Sequence, residues 1–237
     1  MKAICSSFNM FIHQISKDKM LWAVCIAPII TAIFFYFCIP KIDLILSSYL
    51  HMKFILKEYY LLFDLFLSLI TPYMFCFASA MVMLSEFDEH MISYLAVTPI
   101  GKKGYILSRL ALPSIISFIV SVFLMNVFSL TDWSFSMIIL TCMQTSLVCI
   151  AVALLIFSLS HNKVEGMAMA KLSGLIMIGL PVPFFLFSNF QFAFSFLPSF
   201  WITKFVLEKN LLYLSFYFLI TFILLYFFYK KFKRKII

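Results

Sequence analysis

The stretch LLFDLFLSLITPYMFCFASAMVML, residues 61–84, carries one charged side chain, Asp64, and that near its beginning. About 20 consecutive apolar residues cross a bilayer as a helix, since a rise of about 1.5 Å per residue then spans the hydrocarbon core. Five further runs of this kind lie at residues 20–39, 110–130, 133–159, 172–188 and 211–229. The run 133–159 is long enough to tilt. The run 172–188 is short and contains Pro181 and Pro183, which places its end inside the bilayer. Six apolar runs with polar loops between them predict an all-α, polytopic membrane protein forming a single transmembrane domain over residues 1–237.

Composition agrees. Of 237 residues, 64% are hydrophobic and 12% charged, whereas a soluble domain is nearer half apolar and a quarter charged. A chain this short cannot bury so much apolar side chain away from water. This excludes a cytosolic enzyme, a secreted disulfide scaffold and a disordered tail. Cys5, Cys25, Cys38, Cys76, Cys142 and Cys149 form no CxxC, and four of them lie well inside apolar runs, so they read as small hydrophobes. The dispersed His13, His51, His90 and His161 give no metal site.

The net charge of +8 would suit nucleic acid if gathered on a soluble face. In this chain its placement gives an orientation instead. With six spans both termini share one side, and 13 of the 18 basic residues then fall on that side, leaving Lys41, Lys53, Lys57, Lys204 and Lys209 opposite. Positive charge marks cytoplasmic loops. Both ends are therefore expected in the cytoplasm of a multi-pass protein of the cell (plasma) membrane, with a basic tail at 230–237 and no nucleic-acid partner.

Residues 1–19 do not read as a removable signal peptide. Phe8, Phe11, Ile12 and Ile15 recur at helical spacing while Asn9, Gln14, Lys17 and Lys19 lie elsewhere, which predicts an amphipathic helix on the inner leaflet. Two inner loops are unusual. In 85–109, Phe87, Met91, Tyr94 and Leu95 form one apolar stripe, and Glu86, Glu89 and Ser93 a polar face. Glu86, Asp88 and Glu89 are read as the start of this helix, where carboxylates oppose the positive end of the dipole, and Thr98-Pro99 as its end. A short helix of this kind is stiff enough to transmit force. In 160–171, Asn162, Lys163 and Glu165 form a second polar knuckle, followed by Gly166, Ala170 and Gly174 at a spacing that lets another helix approach.

The chain lacks the signatures of catalysis. Gly174 and Gly179 have GxxxxG spacing, but Leu180-Pro181 stands where a phosphate-binding loop needs Lys and Ser or Thr. There is no GxSxG and no HExxH, so no catalytic, cofactor or metal residues are assigned. The central parts of the spans hold neutral polar groups only, among them Asn126, Thr141, Gln144, Thr145 and Ser146. Ion-coupled carriers keep ionisable groups there. A separate ATPase is the better energy source.

Glu86-x-Asp88-Glu89 with the run 93–100, SYLAVTPI, resembles the LEXLLVTPI cytoplasmic element of ABC-2 type transporter permeases. Residues 162–166 leading into Lys171, Leu172 and Gly174, and the run LPSFW at 197–201, are similar to the same family and fall in the right order. The resemblance implies the membrane subunit of an ABC exporter, without its own nucleotide-binding domain. It would pair with a second permease chain, as homo- or heterodimer, and sit on ABC ATP-binding subunits that hold the ATP and Mg. It implies a first ATPase-coupling element of Glu86, Asp88, Glu89, His90, Tyr94, Thr98 and Pro99, with His90 where many members have glycine. Asn162, Lys163 and Glu165 would supply the second, and residues 8–19 the leading interfacial helix.

Residues 189–210 form the outer segment. Phe190, Phe192, Phe194 and Phe196 alternate there with smaller residues. Because a strand edge cannot face lipid, re-entrant or outer-surface helices are expected before the last span. Those rings either anchor the chain at the interface or gate an amphiphilic substrate. The candidate translocation path is Asn126, Thr141, Gln144, Thr145, Phe194 and Phe196, although Gln144 reads more readily as a helix–helix hydrogen bond. The rival readings are an ion-coupled secondary carrier and a non-transporting immunity or sensor protein.

Overall fold

Backbone polar groups cannot go unpaired in lipid, so a chain this apolar must fold into helices that satisfy them internally. The computed structural model describes residues 2–51, 55–91, 101–186 and 188–236, and those residues are helical with short turns and no strand. Helix α1 (Lys2–Lys17) leads into α2 (Lys19–Leu50). A 3₁₀ turn, Lys57–Tyr59, opens α3 (Tyr60–Asp88). Then come α4 (Gly101–Ile106), a π-helical turn (Leu107–Ala111) and α5 (Leu112–Phe128), followed by α6 (Phe135–Leu159). Helix α7 (Lys163–Ser173) runs through a 3₁₀ stretch (Gly174–Gly179) into α8 (Val182–Phe185). A second 3₁₀ stretch (Asn189–Phe194), α9 (Pro198–Glu208) and α10 (Leu211–Ile236) complete the chain.

Among the described residues, six stretches are long and apolar enough to cross a membrane: Lys19–Leu50, Lys57–Asp88, Gly104–Phe128, Phe135–Leu159, Lys163–Phe185 and Leu211–Lys235. The chain is a multi-pass membrane protein. The bundle is built around α3 and α6, whose span windows are 72% and 67% buried, against 17% for the windows in α2 and α10. Helix α3 packs on α2, α5 and α6, and α6 on α10.

Two bounds differ from the sequence reading. The first span runs to Leu50 rather than residue 39, through Pro40 and Lys41. Asp43 makes this possible. It is buried, and its carboxylate accepts from Leu56 N (2.8 Å) and Tyr60 Oη (3.3 Å), so it binds α2 to the start of α3. The fifth span begins at Lys163, not residue 172, because the loop 160–171 is mostly helix α7.

Prolines leave carbonyls unpaired, since residue i has no N–H for the carbonyl of i−4. Pro72 frees the carbonyl of Ser68 in α3, and Ser121 Oγ of α5 donates to it at 3.3 Å. Pro113 likewise frees Arg109, where the helix widens to π geometry, and Ser79 Oγ of α3 donates to that carbonyl. Each helix thus repairs the other's defect.

At the end opposite the termini, Asp64 gathers the α5–α6 turn. It accepts from Leu130 N (2.8 Å), Thr131 N (3.0 Å), Thr131 Oγ1 (2.6 Å) and Trp133 Nε1 (3.0 Å). The outer segment is helical, as expected. Helix α9 is largely buried, and its Ser199 and Thr203 hydroxyls donate to the carbonyls of Ile176 and Leu180. Gly179 permits that approach, because a Cβ there would lie 2.2 Å from Ser199 Oγ.

Candidate functional site

The inner-loop residues of the sequence reading meet at the end of the bundle that carries both termini. Asp18 stands between α1 and α2 and caps α2, accepting from Met20 N (3.0 Å) and Leu21 N (3.4 Å). Its other oxygen binds Lys163 Nζ at 2.7 Å. Lys163 N donates in turn to Asp88 Oδ2 at 3.0 Å. The α1–α2 junction, the end of α3 and the start of α7 are thus joined through two carboxylates and one lysine. The Lys163 hydrogen bond, with its charge and the two capping N–H groups, holds the Asp18 carboxyl below its usual value against the opposing effect of burial.

Asn162 caps α7, with Oδ1 accepting from Glu165 N at 2.8 Å. Glu165 reaches back to His161 N at 2.7 Å, a variant of the capping box. Asp88, Glu89, His90, His161, Asn162 and Glu165 are all exposed, so the two predicted loops present one polar surface. Between α1, α3 and Lys163 lies an open groove of about 460 Å³, bordered by Gln14, Lys17, Asp18, Glu89 and Lys163.

The acidic cluster does not begin a helix. Glu86 and Asp88 lie in the last turn of α3, and Glu89 caps its C-terminal end. There the dipole is negative, and carboxylates need nearby cations. His90 follows with φ +56°, the left-handed geometry that ends a helix and favours glycine. Glycine at this position in many ABC-2 permeases fits that geometry.

Glu86 corrects the sequence reading more sharply. It is fully buried, not part of a polar face, and its carboxylate holds the equally buried Arg109. Arg109 Nη2 lies 2.5 Å from Oε1, and Nε lies 3.1 and 3.0 Å from Oε1 and Oε2. Arg109 Nη1 also donates to the Ser7 carbonyl of α1 at 2.7 Å. The guanidinium carbon lies 5.4 Å from the Phe11 ring centroid and 5.8 Å from that of Tyr105. Helix α1 is therefore tied to the core, not merely laid on a leaflet. Glu86 can act on a docking surface only through this tie.

Sequence reading missed Arg109, counted as one more loop cation, and Asp18. The available signals were an acid and an arginine each abutting an apolar run, and an Asp directly before the second helix. Lys235 was also missed in its actual role. Its ammonium donates to the carbonyls of Phe157 (2.7 Å) and Ser160 and so closes the C-terminal end of α6. Tyr94, Thr98 and Pro99 lie outside the described residues.

The candidate path residues do not converge. Asn126 is exposed on α5, and Phe196 is exposed while Phe194 is half-buried. Thr141, Gln144 and Thr145 are buried within the bundle. The Gln144 backbone carbonyl, not its amide, accepts the cross-helix bond, from Tyr217 Oη. Its side-chain amide and Thr141 Oγ1 have no hydrogen-bond partner among the described residues. A path along the outside of this chain does not reach these three. Gly166 and Ala170 face α3 within the same chain: a Cβ on Gly166 would meet Leu84 Cδ1 at 2.2 Å, and the Ala170 carbonyl accepts from Tyr73 Oη at 2.7 Å.

Residues 11–229 match the family model described as fluoroquinolones export permease protein Rv2686c-like. The chain is 28% identical over 191 residues to the fluoroquinolones export permease proteins Rv2686c and MT2760 of two Mycobacterium tuberculosis strains, covering 79% of this chain and 75% of each relative. No solved structure matches it.

Proposed function

Since the chain belongs to the Rv2686c-like family of export permeases, we propose that it is the membrane subunit of an exporter driven by separate ATP-binding subunits. The observation that carries this reading is the exposed surface joined by Asp18, Asp88 and Lys163. A docked ATPase that moved this surface would move α1, α3 and α7 together. Asp88, Glu89, His90, Asn162, Lys163 and Glu165 form the contact, and Glu86 and Arg109 carry displacement inward. The excess of basic residues at this end supports a cytoplasmic placement of both termini. The substrate is an amphiphile of the class named for the relatives, a fluoroquinolone or similar planar aromatic molecule, passing between two permease chains. ATP and Mg belong to the partner subunits.

The test is substrate-stimulated ATP hydrolysis by the reconstituted complex. Replacing Asp88, Glu89 and Lys163 with alanine is expected to abolish stimulation and co-purification of the ATPase while membrane insertion stays intact. Unchanged stimulation would refute the docking assignment. Drug uptake into vesicles driven by an ion gradient alone would instead establish a secondary carrier.

A further inference from the structure

The last turns of α10 lie at the end with the termini and carry Lys230, Lys231, Lys233, Arg234 and Lys235. They border a groove of about 380 Å³ formed with the ends of α3 and α6, lined by Phe87, His161, Lys231, Arg234 and Lys235 among others. Lys235 is committed to the α6 carbonyls, with its ammonium 4.4 and 4.3 Å from the Phe87 and Phe157 ring centroids. The carboxylates that act on it, Asp88 and Glu165, already accept from Lys163 N and His161 N. Lys231 and Arg234 are exposed, one turn apart, and have no carboxylate partner among the described residues. Two cations without a carboxylate partner thus stand in the last turns of the apolar stretch Leu211–Lys235, and the end of a spanning helix is where it reaches the headgroups. Towards the membrane, the stripe that begins at Lys231 continues through Phe227 and Ile223, both exposed to more than half.

A cationic mouth over an exposed apolar stripe fits a molecule with a phosphate at one end and hydrocarbon at the other. We infer that this groove binds one anionic phospholipid, with its headgroup phosphate between Lys231 and Arg234 and its acyl chains along Phe227 and Ile223. Bound there, the lipid pins α10 to the ends of α3 and α6, beside the Asp88–Lys163 junction. This assignment does not depend on the transport reading, because it concerns lipid bound by the chain itself.

The experiment titrates phosphatidylglycerol into nanodiscs of phosphatidylcholine holding the full chain and counts bound lipid by native mass spectrometry. A direct hydrogen bond from a basic side chain to the headgroup phosphate contributes about fivefold in affinity. The variant K231Q/R234Q is therefore expected to bind phosphatidylglycerol about thirtyfold more weakly. The variant K230Q/K233Q removes equal charge from residues outside the groove and is expected to change binding by less than about threefold. Inorganic phosphate and glycerol phosphate are expected not to compete. Equal losses in both variants would show general attraction to the surface, and no loss in either would remove the site; both overturn the proposal. Competition by a soluble phosphate would overturn it in favour of an anion site. If K231Q/R234Q fails to fold by circular dichroism, R234Q alone decides, with about fivefold expected.

Discussion

Replacing Glu86 with glutamine tests whether α1, α3 and the π-helical turn are held by charge. The three nitrogen–oxygen distances of the Glu86–Arg109 pair lie between 2.5 and 3.1 Å, and both side chains are wholly buried. At about 3 Å and an effective dielectric near 20, the attraction is about 5–6 kcal/mol, and the cost of taking both ions out of water offsets most of it. The net worth of the pair is therefore small, but the cost of breaking it is not. Glu86→Gln leaves a buried guanidinium without its counter-ion, which costs about 3–5 kcal/mol. We expect about 3, because the Ser7 carbonyl and the Phe11 and Tyr105 rings still surround the cation. Arg109→Gln should cost more. It strands a carboxylate at the negative end of α3 and also removes the bond to Ser7. The double variant should be less destabilised than the sum of the two singles by about 2 kcal/mol or more. Unfolding by dodecyl sulfate in mixed micelles, followed by tryptophan fluorescence, reads all three. Hydrogen exchange in α1 should rise further in Arg109→Gln than in Glu86→Gln. Two singles below about 1 kcal/mol each, or strict additivity, would refute the reasoning.

Two further outcomes follow from the geometry. Gly179→Ala should destabilise the chain by about 1–3 kcal/mol, since the new methyl would meet the Phe200 nitrogen at 2.7 Å, an atom that cannot rotate away. Gly174→Ala, whose nearest neighbour is Tyr73 Oη at 3.9 Å, should be neutral or slightly stabilising in the same unfolding assay. The Asp18 carboxyl is held low, so its contribution is present above the unfolded value near 3.9 and is lost as pH falls through the lower folded one. Amide exchange at Met20 and Leu21 should therefore accelerate in strong acid beyond the intrinsic change. Asp18→Asn should remove that excess, an effect within about 1 kcal/mol because both partners are part-exposed.

The six spans were legible because apolar length alone decides them, and the amphipathic first helix because its stripe has a helical period. Bounds were less legible where a charge sits inside a helix for a local reason. Lys41 and Asp43 look like a loop until Leu56 and Tyr60 are seen to satisfy the carboxylate, and no periodicity in the chain shows that pairing. The same limit explains Glu86. Read as spacing, it joins Asp88 and Glu89 in an acidic cluster, yet the cluster divides. Glu86 turns inward to Arg109 and two acids remain at the surface. The division follows from position on α3. Glu86 sits among Val82, Met83 and Leu84, which face the core, so a carboxylate there must carry its own cation into the bundle or lose its charge. Arg109 meets that demand from a π-helical turn that Pro113 follows, with Ser79 donating to its carbonyl. An acid, an arginine, a serine and a proline, spread over three dozen positions, thus form one device. If a partner pushes on this end of the bundle, as proposed, the surface acids would offer the contact, and the buried pair, through its bond to Ser7, would make α1 and α3 answer as one body.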